Sequence, residues 1–183
     1  MPGLSGKVAA VTQSVRIEPI GIVAPDAVEH LLDRAFGTDR HGRTAYRIRE
    51  GMAALPMFSF VALDGNDVLL GSIQCWPIAL HADDGACFPL VMVGPVAVDP
   101  ALQRGGIGRQ LMAAALAATD LAGIDATMLI GDPEYYGRFF GFGGAHTTTW
   151  RVPGPVEQRR LLARGSKVPD QPGMLGPRVP ANA

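Results

Sequence analysis

Apolar positions recur along this chain with two periods, which predicts a protein that mixes helices with strands. Residues 25–36 carry apolar side chains at helical spacing, and Pro25 suits the first position of a helix. A second helix is predicted over 44–52 and a third over 107–122. The third is rich in alanine on one face, so it can pack closely on a sheet.

Shorter apolar runs, bounded by turn-forming residues, predict strands between these helices. The predicted strands cover residues 15–18, 58–63, 68–80, 86–98, 126–130, 146–152 and 158–163. Residues 64–67, Asp-Gly-Asn-Asp, form a hairpin connection, and residues 81–85 form the next turn. Pro77 predicts an irregularity late in the long strand, because proline has no N–H to donate to a ladder.

The order of these elements predicts an α/β fold with a mixed sheet. The strand–turn–helix–strand stretch over 90–130 indicates parallel strands with a right-handed crossover, while the earlier hairpins are antiparallel. We expect helices on both faces of the sheet. One domain is predicted over 14–164, after a flexible N-terminus (1–13) and before a Pro/Gly-rich, irregular C-terminal tail (165–183).

Composition excludes some partners. The net charge of −1 gives no electrostatic reason for binding nucleic acid or an anionic membrane. No apolar stretch reaches a membrane span and no export signal is evident, so a cytoplasmic protein is expected. The four histidines are scattered and the cysteines have no metal spacing, so no metal site is predicted. Cys75 and Cys87 could form a disulfide, although a reduced protein is favoured.

The segment 103–108, Gln-Arg-Gly-Gly-Ile-Gly, carries the most information about function. It joins an apolar strand to a helix, so its backbone N–H groups and the positive end of the helix dipole converge on one point. A phosphate or pyrophosphate suits that point. Glycines there permit positive φ and close approach of the ligand.

Spacing separates three types of phosphate-binding loop. A nucleotide P-loop requires Lys-Ser or Lys-Thr after the glycines, and neither follows here. A dinucleotide loop requires G-x-G-x-x-G, of which only G-x-G is present, with Asp120 a weak candidate for the ribose acid. The pattern [Q/R]-x-x-G-x-[G/A] is matched completely by Gln103, Gly106 and Gly108.

That match and its flanking segments resemble the GNAT superfamily of acetyl-CoA-dependent N-acetyltransferases. Residues 94–100, Gly-Pro-Val-Ala-Val-Asp-Pro, look like the end of that superfamily's fourth strand. Residues 131–142 look like its fifth-strand exit and fourth helix. The resemblance covers about 15–150, and within the superfamily it points to a bacterial group with an Asp-Pro-x-Tyr-Tyr signature. It implies a sheet of about seven strands that splays open between strands four and five, with the cofactor's pantetheine arm in the gap.

The resemblance also implies which residues bind acetyl-CoA. The backbone of Val96, Ala97 and Val98 is expected to contact the pantetheine amides, and Pro95 fits a strand locally released from pairing. The pyrophosphate is expected at a second group of residues. These are Gln103, Arg104, Gly105, Gly106, Ile107, Gly108 and Arg109. The side chains of Arg104 and Arg109 have an equally plausible role as solvated surface charges.

The general acid that protonates the departing thiolate is, by the same resemblance, a tyrosine of the fourth helix. Tyr136 is the candidate and Tyr135 the reserve. A doubled Phe139-Phe140 moves Gly141 one residue further from Tyr136 than the family pattern places it, so the choice between the tyrosines stays open. Asp132 is expected to cap the helix.

No general base is assigned, because 88–98 contains no Asp or Glu. Proximity to predicted loops gives five carboxylates that are weak candidates, and a water chain is the alternative. They are Glu50, Asp64, Asp83, Asp84 and Glu134.

Three functions remain after this sequence analysis. The first is an N-acetyltransferase acting on a small-molecule or protein amine, with a homodimer left open. The second is a catalytically silent acyl-CoA-binding module, and the third, disfavoured by the loop spacing, is a nucleotide-binding protein.

Overall fold

The computed structural model describes residues 14–102 and 105–178, which form an eight-stranded mixed sheet with helices on both faces. The α-helices of this described part are α1 (Pro25–Phe36), α2 (Thr44–Ile48), α3 (Ile107–Leu121) and α4 (Pro133–Phe140). Its strands are β1 (Arg16–Pro19), β2 (Phe60–Leu63), β3 (Leu69–Ala82), β4 (Cys87–Val98), β5 (Thr127–Ile130), β6 (Trp150–Arg151), β7 (Leu161–Arg164) and β8 (Gly173–Pro177). The predicted α/β fold is confirmed, with eight strands rather than about seven.

The sheet combines an antiparallel half with a parallel crossover. Its main order is β1-β2-β3-β4-β5-β7, while β8 pairs with β3 and β6 pairs with β8. The pairs from β1 to β4 are antiparallel, and β4 and β5 are parallel across helix α3. The predicted β–α–β unit is therefore confirmed.

Strand β3 is long because it has two successive partners on one edge. Its residues 69–73 pair with β2, and Ile78–Ala82 pair with β8, while β4 lies along the other edge. Pro77 lies between these two stretches and still pairs with Val91 of β4. The strand thus runs through Pro77 without a break, and the expected irregularity occurs earlier, as a register shift between Ile73 and Cys75.

That register shift is a bulge in β4 at Gly94 and Pro95. Before the bulge, Val91 and Val93 pack against α3; after it, Val96 and Val98 do. One extra residue in a strand reverses the alternation of its side chains. The bulge therefore lets β4 direct apolar side chains toward α3 both before and after Gly94 and Pro95. It also changes the direction of the backbone at these two residues.

The apolar residues divide between the two faces of the sheet. Helices α3 and α4 cover one face, where Leu111 and Phe142 belong to the same buried cluster. On the opposite face α1 packs on β2 and β4, while α2 contributes Ile48 to a cluster with Trp150 and Leu175. Helices on both faces were expected and are present.

Three predicted elements miss an expected boundary by three or more residues, and β2 begins at Phe60 rather than at residue 58 because 56–58 form a 3-10 turn. Helix α2 ends at Ile48 rather than at residue 52, and the chain then turns through Gly51 at φ 74°. The strand predicted over 146–152 is reduced to β6, because the Thr147 hydroxyl donates to the carbonyl of Leu161 and holds the preceding residues in a turn. Residues 158–160 form a 3-10 turn, so the strand predicted over 158–163 begins only at β7.

The tail predicted as irregular is partly ordered, because it contains β8. A Cβ at Gly173 would lie 2.6 Å from the carbonyl oxygen of His81, so only glycine lets β8 approach β3 here. Leu175 is buried, and Arg178 donates to the carbonyl of Leu90 at 2.7 Å. The expectation of a wholly irregular 165–183 is therefore wrong for this segment; residues 1–13 and 179–183 lie outside the described part.

Candidate active site

The sheet opens between β4 and β5. These strands pair only at Val91–Thr127 and Met92–Met128, after which they diverge. A cavity of about 1420 Å³ occupies the opening. Its walls are formed by residues 92–96 of β4, the end of β5, the start of α4, and the segments 39–49 and 155–160.

The diverging part of β4 presents a free backbone edge toward this opening. Val96, Ala97 and Val98 pair with β3 on one side and with no strand of the described chain on the other. Alternate N–H and C=O groups on that edge can bind an extended chain of amides as a further strand would. Val96 lines the cavity, Ala97 is fully buried toward α1, and Val98 packs toward α3.

The glycine-rich loop lies beside the same strand. Gly106 adopts a left-handed conformation (φ 74°) immediately before α3 and, being a glycine, has no side chain with which to cap the helix. The first N–H groups of a helix have no intrahelical acceptor, so they are available to an anion. A Cβ at Gly108 would lie 3.7 Å from the side chains of both Val96 and Val98. The structure therefore brings the loop and β4 together.

Positive φ is needed at one of the loop's described glycines. Gly105 and Gly108 have no such conformation, so the expected conformational demand applies to Gly106. Gln103 and Arg104 lie outside the described residues.

Arg109 is exposed and stacks on a side chain of α4. Its guanidinium carbon lies 4.3 Å from the ring centroid of Phe139. A second, smaller cavity of about 360 Å³ separates the start of α3 from α4, and Arg109 and both phenylalanines of the doubled pair line it. The unusual Phe139-Phe140 pair therefore forms a wall beside the glycine-rich loop.

Both candidate tyrosines reach the main cavity. Tyr135 and Tyr136 line it together, with ring centroids 5.0 Å apart in an edge-to-face arrangement. Tyr136 lies directly beneath Gly131, where a Cβ would collide with its ring, and packs against the core under α3. Burial raises the pKa of Tyr136, and the neighbouring Tyr135 and Asp132 add to the rise.

Asp132 caps α4, as its position in the sequence predicts. Its carboxylate accepts a hydrogen bond from the Glu134 N–H at 3.1 Å. The pKa of Asp132 is lowered first by its interaction with the Glu134 side chain and then by this backbone bond, which stabilises the charged form. Asp132 also lines the cavity.

The five weak candidates for a base do not line the cavity in the described part of the chain. Asp64 is buried and accepts hydrogen bonds from the N–H groups of Asn66 and Val68, while Asp84 caps the turn before β4. Asp83 pairs with Arg151 and Glu134 with Arg159, and Glu50 is exposed. Two carboxylates that the sequence analysis did not select, Asp39 and Glu157, lie on the wall instead.

Arginines form much of the remaining wall. Arg40, Arg43, Arg49 and Arg160 all line the cavity. They were missed because arginines in a short helix and its flanking turns resemble an ordinary solvated surface. No periodic pattern marks such residues. The packing of 37–49 against the sheet brings the first three to the site, and the 3-10 turn before β7 brings Arg160.

No group of side chains suited to a metal occurs within 14–102 and 105–178. Over the same residues, no helix is long and apolar enough to cross a membrane.

Comparisons with known proteins agree with this geometry. Residues 19–145 match the model of the Acetyltransferase (GNAT) domain. The chain is 31% identical over 142 residues to the uncharacterized N-acetyltransferase YhbS of Escherichia coli K12, covering 76% of this chain and 80% of that protein.

Solved structures share the architecture. The crystal structure of YhbS from Escherichia coli in complex with CoA superposes with a TM-score of 0.67 and 25% identity, covering 91% of this chain and 89% of that one. A GNAT family acetyltransferase from Brucella melitensis, solved with acetyl-CoA, gives a TM-score of 0.55 and 26% identity, covering 85% and 98%. With its splayed strands, its glycine-rich loop and a family match over most of its length, the chain belongs to the GNAT acetyltransferase family.

Proposed function

We propose that the protein transfers the acetyl group of acetyl-CoA directly to a primary amine. The observation that carries this proposal is the opening between β4 and β5. On one side it has a strand edge that no described strand pairs with, and beside it lies the N-terminus of α3, which its N-cap residue Gly106 cannot cap. An extended pantetheine amide chain fits the first, and a pyrophosphate fits the second. The structures of relatives with CoA or acetyl-CoA support the same choice of cosubstrate.

The proposed cosubstrate contacts follow from this geometry. The backbone of Val96, Ala97 and Val98 would hold the pantetheine amides. The N–H groups from Gly105 to Arg109 would hold the pyrophosphate, together with Gln103 and Arg104 if these outer residues act as their motif predicts. Arg109, held on Phe139, would add positive charge at the edge of this site.

The reaction requires a proton at the leaving sulfur. The neutral amine attacks the thioester carbonyl carbon, a C–N bond forms, and the C–S bond breaks. Tyr136 would then donate its phenolic proton to the thiolate, giving free thiol. Its raised pKa keeps the phenol protonated at neutral pH, which is the form a general acid needs. Tyr135 stays the reserve, since it lines the same cavity.

The proton lost by the attacking amine would leave through water. Asp39 and Glu157 lie on the cavity wall, but no distance to a reacting amine is defined, so no side chain is assigned as base.

A catalytically silent acyl-CoA-binding module is the alternative. Two features support this alternative: the doubled phenylalanine departs from the family pattern, and no general base is assigned. Two finer proposals follow from the sequence, a likeness to the bacterial group with the Asp-Pro-x-Tyr-Tyr signature and a cytoplasmic location, while a homodimer is left open.

Two measurements test the proposal. Calorimetric titration should show acetyl-CoA binding with preference over ATP and NAD, and thiol release should be detected with members of a broad amine panel. Binding without thiol release from any amine would support the silent module, whereas preference for ATP or NAD would reject both acyl-CoA functions.

A further inference from the structure

Arg49 lies on the wall of the cavity as a buried cation that has no carboxylate partner within the described part of the chain. Only 5% of the residue is exposed. Its Nη1 donates one long hydrogen bond, of 3.4 Å, to the carbonyl of Gly94 in the β4 bulge. No carboxylate among residues 14–102 and 105–178 lies within ion-pair distance of it, including Asp39 and Glu157 on the same wall.

Aromatic rings hold the guanidinium in place. Its central carbon lies 4.1 Å from the ring centroid of Tyr46 and 4.2 Å from that of Trp76. The Tyr46 hydroxyl in turn accepts a hydrogen bond from Arg40, which fixes that ring. Such contacts restrain an arginine through the faces of its guanidinium, so N–H donors at the edge, beyond those used toward Gly94 and Tyr46, are available to an anion.

Arg40, on the same wall, shows what a compensated buried arginine looks like in this protein. Its Nη2 lies 2.5 Å from the carboxylate of Glu29 and its Nε 2.8 Å from that of Asp33. These bonds raise the pKa of Arg40 despite its burial. Burial instead lowers the pKa of Arg49 to about 10, which leaves it charged at neutral pH but poorly compensated. A buried charge of this kind is stabilised when an opposite charge binds beside it.

Position separates Arg49 from the proposed pyrophosphate site. Arg49 packs on Trp76, whose side chain belongs to the face of the sheet that α2 covers. Gly108 packs on Val96 and Val98, which belong to the face that α3 covers. The anion suited to Arg49 is therefore not the pyrophosphate of the cosubstrate, and the acceptor is the remaining ligand of the cavity.

We propose that Arg49 binds a carboxylate of the acceptor, so that the enzyme acetylates small amines that also carry a carboxylate. A guanidinium binds a carboxylate through two parallel hydrogen bonds, which fix its orientation. The assignment rests on the acetyltransferase function proposed above and adds the class of acceptor to it.

The test compares amino acids with their own carboxamides in the thiol-release assay. Glycine, β-alanine and several L-amino acids are each paired with the corresponding amide, and the ratio of kcat/KM for acid over amide is measured. Because the acid and the amide differ in amine pKa, the ratio is compared between wild type and variants, where that difference cancels. Arg49→Gln should lower the ratio about 10- to 100-fold, as expected for loss of a charged hydrogen-bonded pair.

Matched variants separate binding from a structural role. Arg47→Gln changes an exposed arginine of α2, two residues before Arg49, that donates to the Pro153 carbonyl, and it should leave the ratio unchanged. Arg49→Lys keeps the charge but loses the bidentate geometry, so it should recover part of the ratio. Equal loss of activity on acids and amides in Arg49→Gln would show that Arg49 only supports the fold, and would overturn the proposal.

A binding measurement applies even if no amine of the panel reacts. CoA-saturated protein is titrated calorimetrically with N-acetyl amino acids and with their carboxamides. Tighter binding of the acids, lost in Arg49→Gln, supports the proposal. If acetyl-CoA binds and amines without a carboxylate react, but amino acids are not preferred over their carboxamides, the acetyltransferase function stands and the Arg49 proposal fails.

Discussion

Burial gives the two tyrosines of α4 different surroundings although they are adjacent in sequence. Tyr136 packs into the core beneath α3 and against Gly131, and its pKa is raised mainly by this burial. A raised phenol pKa means that the protonated donor persists beyond the ordinary value of 10.0. The donor is lost only as pH rises through the pKa of the folded state.

Tyr136→Phe should therefore lower kcat about 10²–10⁴-fold without weakening acetyl-CoA binding, since it removes a positioned proton donor. The alkaline limb of the kcat profile, expected above pH 10.0 in the wild type, should flatten. Tyr135→Phe is the matched control and should be much milder. Rates are measured across pH with an identified acceptor, and a larger loss in Tyr135→Phe would move the assignment by one residue.

Whether Cys75 and Cys87 can form a disulfide depends on their positions in the sheet. Cys75 pairs with Val93 and Cys87 pairs with His81, six ladder positions further along β3. At about 3.3 Å per residue this is roughly 20 Å, far beyond disulfide reach. Both thiols are free, and burial raises the pKa of Cys75 to about 12. The disulfide that the sequence left open is excluded by this geometry.

At the scale of elements, the start of α3 and the bulged part of β4 make up the proposed cosubstrate site. Gly106 needs its left-handed conformation, but, its two chain neighbours aside, a Cβ there would meet no atom of the described residues within 4 Å. A side chain at this position would therefore project into space that the ligand is proposed to use.

Gly106→Val should weaken acetyl-CoA binding strongly while the protein still folds. Gly123→Val is a matched control, because Gly123 also has a left-handed conformation (φ 72°) and open space, at the other end of the same helix. Both variants should lose about 1–2 kcal/mol of stability from the unfavourable backbone conformation. Calorimetry and thermal unfolding check both effects; equal acetyl-CoA affinity in the two variants would remove the loop from the site.

Acetyl-CoA should also protect the backbone of β4 from hydrogen exchange. The edge of Val96–Val98 that faces β5 has no strand partner in the described chain, so bound amides would occupy it. The measurement is exchange by mass spectrometry with and without acetyl-CoA. Protection restricted to regions away from 96–98 and the start of α3 would contradict the placement of the pantetheine.

At the scale of the whole molecule, the C-terminal segment 165–178 covers the apolar core on the face of the sheet where α2 packs. Strand β8 covers the edge of β3 beyond Pro77, pairs with β6, and buries Leu175. Arg178 then donates to carbonyls of β3 and β4. This segment is thus part of the domain rather than an appendage to it.

A chain that ends after Arg164 should be less stable by at least about 3 kcal/mol. Burial of Leu175 alone contributes about 1.5–3 kcal/mol, and the ladder to β3 is lost as well. A chain that ends after Arg178 is the control and should unfold like the full-length protein. Thermal or urea unfolding measures the difference, and equal stability of the two truncated chains would show that β8 adds nothing.

The elements predicted well from sequence are those whose own residues decide them. Helix α1 has the predicted bounds because its apolar spacing and Pro25 are local signals, and α3 begins where the glycine-rich turn ends. The hairpin between β2 and β3 and the cap at Asp132 depend on residues a few positions apart. The family, and with it the class of reaction, was recognisable for the same reason, since its motifs are short and contiguous.

Tertiary structure decided what depends on residues distant in sequence. Strand β8 exists because β3 offers it an edge and Gly173 allows close approach, and neither condition is visible within 165–183. Most of the arginine wall is assembled by packing 37–49 against β3 and β4, so that Arg49 is buried on Trp76 while Arg47 stays exposed. Burial and charge compensation are properties of the assembled fold, and they distinguish a binding group from a surface charge of the same residue type.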